Sequence, residues 1–230
     1  MKVVVFGASG KLGRTLALSL LTAGHEVTAF GRDAAKLPAR PGISVIVGDA
    51  LKPDDVASAV AGQDAVVVSL GDSLNPIAAG LGARRNTPAN ICEIGTANVI
   101  ASMSAASVNR LVCISSYGVG DTRDSLSPAY RIWFQILQLK AQLADKGRQE
   151  ALVKASGLDW TLIQPVGLTD GAATGRWLAS PVGERRKRTI SRVDVSAFIL
   201  ETLVGGRHLR ESVVLSGLTI AESQFPTEVD

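Results

Sequence analysis

Three features of the sequence predict an α/β fold of the doubly wound type, a mainly parallel sheet with helices on both faces. Short apolar runs alternate with helical stretches from the first residues onward, the pattern that right-handed strand–helix–strand units produce. Hydrophobic residues make up 46% of the chain against 20% charged ones, as strands buried on both faces require. The length of 230 residues suits one such sheet with its covering helices. The strands are expected at Val3 to Phe6, Val27 to Phe30, Ser44 to Val47, Ala65 to Ser69, Leu111 to Ile114, Trp160 to Ile163 and Val213 to Leu215. Between them the periodicity predicts helices over Leu12 to Ala23, Pro53 to Val60, Ala89 to Ala106, a stretch within Pro128 to Ser156, and Asp194 to Val204. The segment from Leu70 to Pro88 has no clear period and follows the fourth strand. In a doubly wound sheet the strand order reverses between the first and fourth strands, and ligands bind at that crevice. A long loop there is expected to cover a ligand.

Bulk composition narrows the function. The net charge of +3 comes from 24 basic and 21 acidic residues, a nearly balanced surface that argues against a nucleic-acid partner. Cys92 and Cys113 lie in apolar segments without a CxxC spacing or a neighbouring histidine, so they read as small core residues of a reduced protein, with no metal site. Met1-Lys2 runs directly into the first strand, which leaves no signal peptide or membrane span there and implies a cytoplasmic address. A monomer or homodimer is expected.

The first strand ends in Gly7-Ala8-Ser9-Gly10-Lys11-Leu12-Gly13, and an amphipathic helix begins within that run. Gly7 permits the tight turn, Gly10 lets backbone N–H groups approach a pyrophosphate, and Gly13 lets the helix pack on the sheet. The helix end supplies partial positive charge and unpaired donors for an anion. Gly7, Ser9, Gly10, Lys11 and Leu12 are the contacts expected here; the alternative is a merely structural turn. The second strand runs into Gly31-Arg32-Asp33. An acidic residue at that point accepts from a ribose hydroxyl of NAD, whereas an arginine accommodates the 2′-phosphate of NADP. Arg32 therefore favours NADP(H), with Lys36 or Lys11 as a second cation and Asp33 as the alternative, acidic reader. After the third strand, Asp49-Ala50 either accepts from an adenine amine or caps the turn into Pro53, or does both. Leu70 and Gly71 close the fourth strand, where glycine backbone lies against the middle of a dinucleotide.

GASGKLG, the FGRD strand end, GDA, ISSYGVG, SGLDWTLIQP and ISRVDV together resemble the atypical short-chain dehydrogenase/reductases of the NmrA-like, NAD(P)H-binding kind, a group that includes biliverdin/flavin reductases. The resemblance covers nearly the whole chain. It implies a single NADP-binding Rossmann-type domain over 1–230, with a small C-terminal substrate region within about 165–230. By the same resemblance, Ser115 and Ser116 end the fifth strand beside the nicotinamide, with Ser116 the better candidate for that role. Lys146 and Glu150 resemble the superfamily's active-site lysine segment; the alternative is a solvent-facing i,i+4 pair. The tyrosine that relatives carry four residues before the lysine is Gln142 here. A ketone reductase needs a donor for the developing alkoxide. A flavin or quinone spreads that charge and takes its proton from water. Tyr117 and Tyr130 are substitutes or packing residues. Pro165-Val166-Gly167 would present backbone groups to the nicotinamide carboxamide.

Three further segments carry expectations of their own. The apolar run from Arg131 to Leu139 reads as core, as a pocket wall or as a subunit contact. The basic run Glu184 to Arg188 reads as a solvated loop. Asp194 or Ser191 starts a helix. The functional expectation is an NADPH-dependent oxidoreductase that passes hydride to a flavin, quinone or similar conjugated small molecule, with Ser116 and Lys146 at the chemistry. The alternative is a non-catalytic NADP(H)-binding redox sensor, and a third option is a nucleotide-sugar or carbonyl enzyme.

Overall fold

The computed structural model describes residues 1–71, 87–125 and 140–218. The strands are β1 (Lys2–Phe6), β2 (Glu26–Gly31), β3 (Ile43–Val47), β4 (Ala65–Val68), β5 (Arg110–Ile114), β6 (Asp159–Pro165), β7 (Gly167–Thr169), β8 (Trp177–Ser180), β9 (Thr189–Ser191) and β10 (Glu211–Gly217). The α-helices are α1 (Lys11–Thr22), α2 (Pro53–Val60), α3 (Ile91–Ala105), α4 (Lys140–Ala155) and α5 (Arg192–Gly205), with 3-10 turns at Ala34–Lys36 and Gly120–Ser125. An eight-stranded sheet has the order β3-β2-β1-β4-β5-β6-β10-β8. Its strands are parallel except for β8, which runs antiparallel to β10 at the edge. The order turns back between β1 and β4, so the expected doubly wound reversal is present at the expected place. β7 and β9 pair separately as a two-stranded ribbon.

Each predicted strand is found in the sheet. β7, β8 and β9 were not predicted, because three or four residues are too few for an alternating pattern to stand out. Tyr130, the run 131–139 and residues 72–86 of the expected ligand-covering loop lie outside the described residues. Among the described residues no helix is long and apolar enough to cross a membrane.

The period of two in β1 divides the core. Val3 and Val5 face a cluster with Leu12, Leu16 and Leu20 of α1 and Val195, Ile199 and Leu203 of α5. Val4 and Phe6 face a second cluster with Val56 and Val60 of α2 and Val99 and Met103 of α3. Each of these side chains is nearly or fully buried and contributes about 1.5–3 kcal/mol through apolar burial. Both cysteines are buried in the core, as expected, and burial pushes the Cys113 thiol up to about 12, where it does not act as a nucleophile.

Two helix starts are built with side chains, and both orient the crevice. Ser191 caps α5 by accepting from the amide of Asp194 at 3.0 Å. The buried Asp194 carboxylate holds the preceding loop, accepting from the amides of Thr174 (2.8 Å) and Gly175 (2.9 Å). Of the two candidate caps, Ser191 is the cap and Asp194 organises the loop. The N-terminal residue of α3 has no side-chain cap of its own. Asp145 of α4 serves instead, its buried carboxylate accepting from the amides of Cys92 (2.9 Å) and Glu93 (3.0 Å). Arg148, one turn on, reaches Glu93 at 2.5 Å. Asp145→Ala removes two charge-assisted bonds from a buried helix end and is expected to cost about 2–4 kcal/mol. Urea unfolding of the variant, with an unchanged denaturant slope, checks this.

Candidate active site

The carboxyl ends of β1, β2, β4, β5 and β6 open on one side of the sheet, and the predicted residues gather there. Gly7 has φ +84°, and a Cβ on it would overlap the carbonyl oxygen of Ser69 just past β4. A Cβ on Gly13 would overlap the carbonyl of Gly7. The turn and the helix therefore approach each other and β4 at distances that only glycine allows. The amide of Gly10 donates to the carbonyl of Gly7 at 3.0 Å, so Gly10 closes the turn that leads into α1. Among the described residues no side chain caps α1, and its first turn holds no acidic residue. The first-turn amides of a helix have no intrahelical acceptor, so this end suits an anion. Ser9 lies against Gly31 at the end of β2, and Leu12 is buried beneath the loop.

Arg32 is exposed just past β2, with one guanidinium nitrogen 3.5 Å from the hydroxyl of Thr87. Asp33 turns to local duties. It caps the 3-10 turn through the amide of Ala35 (3.1 Å) and pairs with Lys36 (3.2 Å), and these partners, Lys36 first, hold its carboxyl below the usual range. Lys36 is thus engaged with Asp33. Lys11 pairs with Asp170 at 2.6 Å, and Arg192 reaches the same carboxylate at 2.5 Å. That pairing, Lys11 foremost, lowers the Asp170 pKa. Arg14, which sequence reasoning missed, donates to the carbonyl of Lys36 and brings a further cation to the β2 end. Its only sequence signal is its position one helical turn past Lys11.

Asp49 caps its turn by accepting from the amide of Leu51 at 3.0 Å, while its own amide donates to Asp55 at 2.8 Å. Ala50 is buried against Gly95 of α3, where an added Cβ would lie 3.2 Å from Ala50 and 2.7 Å from Leu70. Gly95 is a second residue that the sequence did not single out. It lets α3 approach the floor of the crevice. A Cβ on Gly71 would meet nothing within 4 Å among the described residues.

At the ends of β5 and β6 a buried polar row from α4 does the work. Half-buried Lys146 donates to the carbonyls of Ile114 (2.7 Å) and Leu70 (3.0 Å) and to Gln149 Oε1 (3.2 Å). Glu150, nearly fully buried, accepts from the hydroxyl of Ser115 and from Gln164 Nε2 at 2.9 Å. Of the two lysine–glutamate readings, the solvent-facing pair is the one these contacts do not match. Lys146 is no solvent-facing partner of Glu150; it ties two strand ends together. Ser115 is spent on Glu150. Ser116 makes only a long bond to the carbonyl of Tyr117 (3.3 Å), which leaves its hydroxyl the more available of the two.

Pro165, Val166 and Gly167 follow β6 as expected, yet their backbone is used inside the protein. The Pro165 carbonyl accepts from Tyr117, Val166 N–H donates to Leu215 at 3.1 Å, and Gly167 N–H donates to Arg188 at 3.1 Å. These bonds fix the backbone that follows β6 at the edge of the crevice. Tyr117 packs on the α1/α5 core, and its hydroxyl donates to the Ser125 carbonyl at 3.3 Å. An uncapped helix end, a glycine cradle and a cation at the β2 end fit a dinucleotide laid across the sheet.

Comparison with known proteins agrees with this geometry. Residues 7–204 match the NAD(P)H-binding family. An uncharacterised chloroplastic protein of Arabidopsis thaliana is 28% identical over 209 residues, covering 88% of this chain and 72% of its own length. Among solved structures, an anaerobilin reductase of Escherichia coli O157:H7 is similar with a TM-score of 0.78 and 24% identity, covering 96% of this chain and 98% of that one. A wide-type short-chain dehydrogenase/reductase from Veillonella parvula, solved in complex with NADP, has a TM-score of 0.77 at 18% identity, with 98% of each chain covered.

Lys146→Met keeps the stem of the side chain and removes all three donor bonds, leaving two strand-end carbonyls short of a partner. A stability loss of about 2–3 kcal/mol is expected, read as a lower urea midpoint.

Proposed function

The chain belongs to the NAD(P)H-binding family, and from that premise we propose that it is an NADPH-dependent reductase that passes hydride to a flavin, quinone or similar conjugated small molecule. The observation that carries this reading is the engagement of Lys146. Its three hydrogen bonds among the described residues go to protein acceptors, so its charge acts on the crevice from beneath and it hands no proton to a product. Gln142, where relatives place a tyrosine, has no acidic proton to give. Ser115 is occupied by Glu150. Such a site suits an acceptor whose reduced form spreads its charge over a ring and collects a proton from water. The similarity to a structure named as an anaerobilin reductase supports a conjugated acceptor.

The roles follow from position. The first turn of α1, with Gly7, Ser9, Gly10, Lys11 and Leu12, would hold the pyrophosphate. Asp49 and Ala50 would flank the adenine, and Leu70 and Gly71 the middle of the molecule. Arg32 would take the 2′-phosphate, because Asp33 is already committed to Ala35 and Lys36. Ser115, Pro165 and Val166 would form the wall at the nicotinamide end, and the Ser116 hydroxyl would orient the acceptor. The bound coenzyme would supply the hydride.

Two measurements test this. Purified protein mixed with NADPH is expected to oxidise it in the presence of free flavins or small quinones and to leave aliphatic ketones unreduced. Tight coenzyme binding without turnover of any acceptor would instead identify a non-catalytic sensor. Arg32→Ala is expected to weaken NADPH binding about 10- to 100-fold, the worth of a charge-assisted phosphate contact, while NADH binding stays as it was. Equal losses for both coenzymes in calorimetry would contradict the assignment of Arg32.

A further inference from the structure

We infer that Arg185, stacked on Tyr117, is a receptor for an anionic group on the hydride acceptor, a carboxylate or a phosphate. The inference rests on the reductase reading and names a substrate class for the same site. Tyr117 follows Ser116 directly at the carboxyl end of β5, and its amide is tied to the Pro165 carbonyl at 3.0 Å. Its ring lies against the core cluster that Leu168 of β7 and Trp177 of β8 also touch. The Arg185 guanidinium sits over that ring, 5.1 Å from its centroid, and Nε donates to the Tyr117 hydroxyl at 3.2 Å. A guanidinium held over an aromatic face and anchored through Nε has lost most of its rotamer freedom before any ligand arrives.

The loop that carries Arg185 is held at three points. Glu184 N–H donates to the Ser180 hydroxyl (3.1 Å), Arg186 N–H to the Ser216 hydroxyl (3.0 Å) and Lys187 N–H to the Gly217 carbonyl (3.0 Å). The basic run is a loop with Glu184, Arg186 and Arg188 exposed, as read from the sequence, and its backbone is anchored on β8 and β10. Lys11, Lys36 and Arg192 each sit on a carboxylate. Among the described residues Arg185 has no carboxylate within ion-pair distance, and its two terminal nitrogens make no hydrogen bond. A rigid, forked pair of donors with no acidic partner matches a planar or tetrahedral oxyanion. The neighbouring Arg186, Lys187 and Arg188 add positive potential at the same place.

The test uses acceptors in matched pairs that share one ring system: FMN against riboflavin for phosphate, and a quinone carboxylate against its methyl ester for carboxylate. For the full-length protein the charged member of at least one pair is expected to have an apparent affinity about 10-fold or more above the neutral one. In Arg185→Gln that ratio is expected to fall to about one. Arg185→Lys, which keeps the charge and loses the fork, is expected to fall between and stands in if the glutamine variant does not fold. The pair that responds tells phosphate from carboxylate. The same ratios are read by calorimetry with NADP+ present, so the anion preference is measured even if no acceptor turns over and the reductase reading fails. A ratio near one for the unmodified protein in both pairs, or a ratio that Arg185→Gln and Arg185→Lys leave unchanged, overturns the inference.

Discussion

The crevice depends on one ammonium group. Lys146 reaches from α4 to the carbonyls of Leu70 and Ile114 and so ties the carboxyl ends of β4 and β5, neighbouring strands whose hydrogen-bonded ladder ends just before this point. Strand ends in a parallel sheet leave carbonyls that need partners, and here a charged side chain provides them. The same helix turn sends Asp145 to the start of α3, Gln149 to Thr96 at 2.8 Å and Glu150 to β5 and β6. Four polar side chains from six consecutive residues thereby place α3, β4, β5 and β6 relative to one another. Apolar packing on the two faces of the sheet gives cohesion without direction; this row supplies the direction.

Much of the fold was legible because its signals are long or rigid. β1 and β4 are runs of valine with one phenylalanine, β5 is a short apolar run of leucine, valine, cysteine and isoleucine, and α1 repeats leucine at 12, 16 and 20. The loop between β1 and α1 was legible for a different reason. Gly7 and Gly13 stand where a Cβ would strike backbone, and backbone cannot yield, so the residue type itself records the geometry. Gly95 obeys a similar constraint, with the side chains of Leu70 and Ala50 close by, yet it sits in mid-helix with nothing in its local pattern to reveal a neighbour from β4.

The residues that escaped the sequence reading share that property of acting at a distance. Asp145 serves a helix more than fifty residues away in the chain, and Arg14 acts on a carbonyl beyond the second strand. For Lys146 and Glu150 the spacing of four left a local pair open beside the active-site reading. Burial decides otherwise, because a carboxylate inside the core is held by groups that reach it from other elements, here Ser115 and Gln164. The basic run is legible as a loop, but its anchors are not, because Tyr117 and the Ser216–Gly217 end of β10 come from two remote stretches.

The bare start of α1 has a consequence for the life of the protein in a cell. A helix end with no side-chain cap among the described residues suits an anion, and whatever binds there favours the folded state by mass action, in proportion to the logarithm of its free concentration. Partly opened molecules are the ones that proteases remove. The amount of this protein that persists would then rise and fall with the supply of the dinucleotide, making its abundance a slow record of coenzyme availability.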